Sequence, residues 1–432
     1  MSGAGAFGQG SFFERLLGDL VQMMGSAGTG TGPRMEMART FAHNVAAGTN
    51  PEPNVDPSER IRIEELARVA EMHIADVTGL SVATSGSIEV VAFGPGMWAW
   101  QTVEDWQFLL GAMSPEQLPG QAAAGGASPG NLGFGQPGSD LAGLDLTGFG
   151  EDSEEDLLGK VMQTMGPMLS AMQVGSAVGH LARTTMGTYE LPIPRLNPSK
   201  LLFIPSNISK FADDWGLQLD EVRLWISLRE LTMQAILART FVAERMKTLI
   251  TSFLQGASQD AAGFAGLLGG IDPSDPEALR GLFEDPSALL EVEVSPERQH
   301  VAREISAITA AMLGYVEHVL DTAGSRLLGD RTVLSEAWRR NLVDNKPQIS
   351  GTEAFLGIDV GAAQVDRGTS FVKGVVDREG EQGLGRLWES AATLPTPSEV
   401  DAPGLWLERL KLQDPEESAE PEEGSGPGQG PS

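Results

Sequence analysis

The chain has 432 residues, of which 41% are hydrophobic, and this is enough for two or three domain-sized units with a substantial core. Thirty basic residues against 59 acidic ones give a formal net charge of -29, a field that repels a phosphate backbone and makes nucleic acid a poor candidate partner. The absence of cysteine excludes disulfides, thiolate zinc sites and cysteine nucleophiles.

The first 119 residues are predicted to form an N-terminal helical region. Residues 11–26 have the spacing of a short amphipathic helix, and residues 56–79 that of a longer one with Pro57 near its start and Gly79 beyond its end. The stretch "SIEVVAFGPG" predicts a brief strand that ends in a Gly-Pro turn. Three tryptophans then offer large surfaces that anchor these helices to the rest of the chain: Trp98, Trp100 and Trp106.

Two segments of low complexity divide and end the sequence. Residues 120–156 are rich in glycine and close on the acidic run "EDSEED", and residues 413–432 carry acids without any Lys or Arg. Neither segment has enough apolar side chains to offset its ordering entropy, so we predict a flexible acidic insert and a disordered acidic tail. Residues 157–412 between them are the predicted core domain.

Neither a secretory signal nor a membrane span is predicted. The sequence opens on the glycine-rich "MSGAGAFGQGS" rather than on a charged start and an apolar run. The most apolar window, from Val161, is interrupted by Gln163, Gln173 and His180, so we expect a core helix there. These features favour a cytoplasmic protein with no membrane partner.

The core domain is predicted to be mainly α with a small β element. Gly175 and Gly179 lie on one helix face, at a spacing that lets another backbone approach closely. Prolines in "YELPIPRLNPSKLLFIPSN" exclude a helix and leave room for one or two edge strands. Three helices are then predicted: residues 206–216 capped by Ser206, residues 221–240 capped by Asp220, and a long helix that starts at Ser295 and Pro296.

The helix over residues 221–240 carries a charged pair in an almost wholly apolar sequence. Arg229, Glu230 and Met233 stand at the spacing of the HExxH motif, in which two histidines on one helix face hold zinc and the glutamate activates water. A guanidinium has no lone pair, and a thioether is a soft ligand that suits copper(I) rather than zinc. The spacing is therefore that of a metallopeptidase motif without its ligands.

Several blocks of the sequence resemble the zincin-like metallopeptidase family of actinobacteria, whose members are regarded as hydrolases or zinc-dependent metalloproteases. The main block is "LLFIPSNISKFADDWGLQLDEVRLWISLRELTMQAIL". The resemblance continues, in the same order, in "AMQVGSAVGHLA", in "SAITAAMLGYVEHVLDTAG" and in residues 370–410. It implies a zincin-like helical fold for the core domain and zinc as the family's cofactor.

The resemblance also implies roles for single residues. Glu230 takes the place of the family's general base, here a vestigial one, and Arg229 and Met233 take the places of its two histidine ligands. The family's acidic ligand precedes the glycine of "EGY" or "EGW", and here Leu313 precedes Gly314. All three ligand positions are predicted to be vacant, and no metal is predicted.

Other residues offer weak support for a rebuilt metal site. The chain has five histidines, and His300 and His318 lie about 27 Å apart if they share one helix. Three residues beside Gly314 are expected to be neighbours of the cleft: Glu317, His318 and Asp321. One hypothesis is that Arg229 fills the metal position with its own charge, balanced by Glu317 or Asp321 and covered by Trp225 or Met233.

Two functions of different class remain open. In the first, the chain is a non-catalytic member of this family that has lost zinc binding and binds a protein or peptide partner in the old cleft. In the second, it is an active zinc-dependent metalloprotease or hydrolase that uses Glu230 with metal ligands that the sequence does not identify. The residues favour the first, and the family's activity favours the second.

Overall fold

The computed structural model describes residues 31–48, 52, 54–83, 87–113, 168, 170–268, 295–329 and 331–413. The predicted helix over residues 11–26, the acidic insert and the acidic tail beyond residue 413 lie outside the described residues. The domain boundaries at the insert and tail therefore stay predictions.

The described residues between 31 and 113 form α1 (Thr31–Ala47), α2 (Pro57–Thr78), β1 (Glu89–Ala92), α3 (Pro95–Asp105) and α4 (Gln107–Ala112). The long helix predicted over residues 56–79 is confirmed as α2. The Asp56 carboxylate accepts the N–H of Ser58 at 2.8 Å, which satisfies a donor of the first turn. Gly79 ends the helix with a left-handed backbone (φ 65°) that favours glycine.

The described residues 170–268, after the insert, form α5 (residues 170–181), β2 (Lys200–Phe203), α6 (Pro205–Trp215), α7 (Leu219–Leu237) and α8 (Thr240–Leu268). The segment over residues 221–240 was predicted as one helix, but α7 ends at Leu237 and α8 starts three residues later.

Both helix caps predicted in this region were wrong. The N-cap of α6 is Ile204, because Pro205 has no N–H to satisfy and suits the first helical turn. The N-cap of α7 is Gln218 rather than Asp220. Asp220 lies within the first turn of α7, where its carboxylate accepts hydrogen bonds from Arg62 at 2.8 Å and from Arg223 at 2.6 Å.

The elements of the described residues 295–329 and 331–413 are all helical: α9 (Pro296–Leu327), α10 (Arg331–Asp344), α11 (Lys346–Leu356), α12 (Ala362–Gly385), two 3₁₀ turns (Arg386–Trp388 and Ala391–Thr393), α13 (Pro397–Asp401) and α14 (Pro403–Gln413). The predicted start of the long helix is confirmed in α9, since the Ser295 side chain accepts the N–H of Arg298 and Pro296 follows it.

One small sheet joins the two sides of the insert. β1 and β2 pair in parallel, with Glu89 opposite Lys200 and Ala92 opposite Phe203. The sheet is the β element expected from the sequence: the predicted strand in "SIEVVAFGPG" is β1, and the proline-rich stretch supplies β2, within the one or two strands expected there. Each strand leads into a helix with proline in its first turn, α3 after β1 and α6 after β2.

Glycines allow two pairs of helices to pack closely, α1 with α5 and α9 with α12. A Cβ at Gly175 of α5 would lie 2.6 Å from the carbonyl oxygen of Ala38 in α1, which confirms the predicted close approach. A Cβ at Gly314 of α9 would lie 2.1 Å from the carbonyl carbon of Gly368 in α12. One apolar core runs through these helices, with Trp98 and Trp106 almost wholly buried in it. None of the helices in the described ranges is both long enough and apolar enough to cross a membrane.

Candidate functional site

Helix α7 runs through the centre of the fold. Every residue from Val222 to Leu237 is buried, including Arg229 and Glu230, and the helix packs against α2 and α9. Burial of a charged group is costly unless the group is paired and hydrogen-bonded. The partners of these two side chains therefore define the site.

Glu230 is covered by a stretch of extended chain. Its side chain is 3% exposed, and its Oε2 accepts the backbone N–H groups of Thr188 and Tyr189, each at 2.7 Å. We call residues 185–190, which supply these donors, the cover segment. Gly187 lies directly against the glutamate, since a Cβ there would be 2.3 Å from Glu230 Cδ.

Hydrogen bonds hold the cover segment in place along β2. The Thr188 hydroxyl accepts the N–H of Leu202 at 2.7 Å and donates to the Leu202 carbonyl at 3.1 Å. The indole N–H of Trp98 donates to the Gly187 carbonyl at 3.0 Å. The side-chain amide of Asn207 donates to the carbonyl of Thr185 at 2.6 Å, so the asparagine of the motif "NISKF" supports this segment from α6.

Arg195 secures the other face of the cover segment. Its guanidinium is wholly buried between the rings of Trp98 and Trp106, with its Cζ 5.3 and 5.7 Å from their centres. It donates to the Thr188 carbonyl at 2.8 Å and to the Asp105 carboxylate at 3.1 Å. Thr188, whose N–H donates to Glu230, is thus fixed through its carbonyl as well.

Arg229 points away from Glu230, as consecutive helical residues do, and towards α9 and α10. Its Cζ lies 4.4 Å from the centre of the Trp338 ring, and its Nη1 lies 3.7 Å from Glu317 Oε1. Arg229 Nη1 and Glu317 Oε1 are both buried, and neither has a hydrogen-bond partner among the described residues. The contact is therefore mainly electrostatic, with the aromatic face as a second source of attraction.

The charges of this region perturb one another. Burial raises the pKa of Glu230 to about 7, against the opposing effect of the two backbone N–H groups and of the Arg229 charge. Burial likewise raises the pKa of Glu190 and of Glu317, and in both the Arg229 charge opposes the shift. The Arg229 charge thus opposes the rise in pKa of all three carboxyl groups, of which Glu317 is its ion-pair partner.

The predicted site residues separate into two sets. Met233 and Leu313 are buried among apolar groups, each 1% exposed, and Glu317 lies at Arg229. His318 turns outward and contacts Glu381 at 3.0 Å, and Asp321 forms an ion pair with Arg331 at 2.6 Å. Of the three expected cleft neighbours, the structure brings Glu317 alone to the charged pair. No group of three His, Asp or Glu residues in the described ranges could hold a metal ion.

Sequence reasoning missed the cover segment, Glu190 and Trp338. A signal existed for the cover segment, because its backbone donors lie in a stretch from which proline excludes a helix, and buried donors need an acceptor. Nothing local indicates Trp338, which α10 brings to Arg229 from more than a hundred residues away.

A family profile described as zincin-like metallopeptidase matches residues 34–407 of the chain. The chain belongs to this zincin-like metallopeptidase family. The match extends well before the insert, in agreement with the sheet that joins the two sides. A comparison with curated proteins gave no match.

A solved structure has the same fold as this zincin-like protein. It comes from Chloroflexus aurantiacus and is described as a putative hydrolase with a novel fold. The TM-score is 0.54 at 21% identity, and the similarity covers 87% of this chain and 98% of that one. At this identity the likeness concerns the fold alone.

The side chains of residues 229, 233 and 313 of this zincin-like protein, which the sequence resemblance predicts to stand at the ligand positions, do not fit zinc. Arg229 brings a fixed positive charge, Leu313 has no donor atom, and the Met233 sulfur is a poor ligand for zinc. In the part of the chain that the structure describes, cavities of about 270 and 430 Å³ are lined by residues other than Arg229 and Glu230, such as Trp215 and Val333 in the first and Phe93 and Pro205 in the second.

Proposed function

We propose that this zincin-like protein has lost zinc binding and acts without catalysis, through a protein or peptide partner. The observation that carries the proposal is the state of Glu230. A general base must reach a water molecule beside the substrate, but this carboxylate is 3% exposed and its Oε2 is held by two backbone N–H groups. The cation beside it in sequence is a guanidinium, which excludes a divalent ion by charge.

The cover segment also changes where a partner can bind. The old cleft over Glu230 is filled by the chain's own residues 185–190, so the partner is expected on the outer surface rather than in the cleft. The net charge of -29 favours a partner with basic groups and disfavours nucleic acid. A cytoplasmic location remains part of the proposal.

One observation favours the second function, a working zinc-dependent metalloprotease or hydrolase. The pKa of Glu230 is raised to about 7, which is the value that suits a general base at neutral pH. In this alternative the cover segment moves aside and other residues hold the ion.

A peptidase assay separates the two functions. The wild type and Glu230→Gln are incubated with mixed peptide substrates, with added zinc and with chelator, and cleavage is followed by mass spectrometry. Glu244→Gln, a change at an exposed glutamate on α8, is the matched control. The proposal predicts no cleavage above background that depends on zinc or on Glu230. Zinc-dependent cleavage by the wild type and by Glu244→Gln, but not by Glu230→Gln, would establish the alternative.

A further inference from the structure

We infer that the centre of the fold is a guanidinium-binding site, which the chain fills with its own Arg229. The side chain is a tethered cation that replaces an ion rather than a residue of the apolar core. This inference rests on the proposed loss of zinc, because a guanidinium would repel a divalent ion bound in the same place.

The surroundings of Arg229 match the chemistry of a guanidinium. The group is planar and weakly hydrated, so it binds to aromatic faces as well as to carboxylates. The Trp338 ring supplies such a face at 4.4 Å and is itself fixed by edge contacts with Trp225 at 5.2 Å and with Phe211 at 6.3 Å between ring centres. This aromatic platform has no lone pairs to offer a metal ion.

Glu317 of α9 is the carboxyl group that lies against the Arg229 cation. The Arg229 charge also opposes the rise in the pKa of Glu230 on α7 and of Glu190 in the cover segment. The Nη1 of Arg229 and the Oε1 of Glu317 lie 3.7 Å apart without a hydrogen bond. Charge and the flat shape of the group, rather than directed bonds, therefore hold it there.

The other charged groups nearby are already paired. Arg339 and Arg331 act on Glu317, but Arg339 contacts Asp366 at 2.9 Å and Arg331 contacts Asp321 at 2.6 Å. Glu353 acts on Glu190 and lies 2.8 Å from Lys346. Removal of the Arg229 charge would therefore leave the three carboxyl groups without their main counter-charge.

Chemical rescue tests the inference. Arg229→Ala removes the side chain and leaves space for a free guanidinium ion against Trp338. We expect its midpoint of thermal unfolding to fall by about 5 °C or more, because the buried carboxylates lose their cation. Low millimolar guanidinium chloride, compared with sodium chloride at equal concentration, should restore a large part of this loss. Guanidinium ordinarily destabilises proteins, so a rise in the midpoint is specific to the site.

The control is Arg68→Ala, whose side chain is 69% exposed and pairs with Glu64. This variant should have the same midpoint of thermal unfolding as the wild type, and guanidinium chloride should not raise that midpoint. If Arg229→Ala does not recover with guanidinium, the inference is wrong, whereas the proposed loss of zinc is unaffected. A stoichiometric zinc ion in the wild type would instead contradict the proposed function.

A second pair of variants applies if Arg229→Ala does not fold. Arg229→Lys keeps the charge and Arg229→Met keeps a stem of similar length without it. At pH 8 the lysine variant should be the more stable, and the difference should shrink at pH 5 as the carboxyl groups are protonated. Equal stability of the two variants at pH 8 would show that Arg229 serves packing alone and would overturn the inference.

Discussion

Gly187 and Glu230 are in a contact that has room for glycine alone, because a Cβ on residue 187 would lie 2.3 Å from Glu230 Cδ. The contact brings the cover segment onto the carboxylate, so that the next two backbone N–H groups can donate to it. The absence of a side chain at Gly187 thus allows the cover segment to lie against Glu230.

Gly187→Ala is predicted to lower the free energy of unfolding by about 1–3 kcal/mol, since the added methyl group must displace either the segment or the glutamate. Urea denaturation measures the effect. The control is Gly385→Ala, at an exposed position with φ -56° and nothing within 4 Å of the added Cβ. That change should stabilise the protein by about 0.4–1 kcal/mol. A Gly187→Ala variant as stable as the wild type would contradict the closure of the site.

Glu230 is predicted to make stability depend on pH in the range from 4.5 to about 7. Its pKa is raised in the folded state, so the folded protein binds more protons than the unfolded chain in this range. The free energy of unfolding therefore falls as pH rises through the range and levels off above it. Glu230→Gln removes this dependence while it keeps the shape of the side chain.

Between pH 5 and pH 8 the free energy of unfolding of the wild type should thus fall relative to that of Glu230→Gln, by roughly 1–3 kcal/mol. Glu190 and Glu317 have shifts of the same sign, but they are present in both proteins and their effect cancels in the difference. Urea denaturation at each pH gives the values, and Glu244→Gln should run parallel to the wild type. A difference independent of pH would mean that the Glu230 carboxylate ionises as it does in water.

Arg195 is predicted to be the main support of the cover segment. Arg195→Met leaves the buried Asp105 carboxylate without its cation and the Thr188 carbonyl without a donor, and should cost about 3–5 kcal/mol in unfolding free energy. Hydrogen exchange should also become faster at the Thr188 and Tyr189 amides. In the control Arg340→Met, the lost ion pair with Glu336 is exposed and should cost less than about 1 kcal/mol. If hydrogen exchange at the Thr188 and Tyr189 amides were unchanged, Arg195 would not be a support of the cover segment.

Local rules predicted much of the fold. The ends of α2 at Asp56 and Gly79, and the start of α9 at Ser295 and Pro296, follow from cap chemistry, which acts within one helical turn. The close packing at Gly175 follows from the absence of a side chain. The caps of α6 and α7 were wrong because an acceptor within the first turn looks, in sequence, much like an acceptor at the N-cap.

The site itself was predictable in part. Glu317 was among the expected neighbours of Arg229 and does contact it. The interpretation of Arg229, Glu230 and Met233 as a motif without zinc ligands stays a prediction. The cover segment and Trp338 were not found, since their contacts with α7 depend on how distant elements pack. A sequence pattern indicates which backbone donors lack a helix, but not which carboxylate they will reach.

The zinc content of the purified chain tests the loss of zinc most directly. Wild type and Glu230→Gln are purified without chelator, incubated with excess zinc, desalted and analysed by inductively coupled plasma mass spectrometry. We predict far less than one zinc atom per chain, with no difference between the two proteins. One zinc atom per wild-type chain, lost on treatment with a chelator, would contradict the account, whether or not Glu230→Gln also binds zinc.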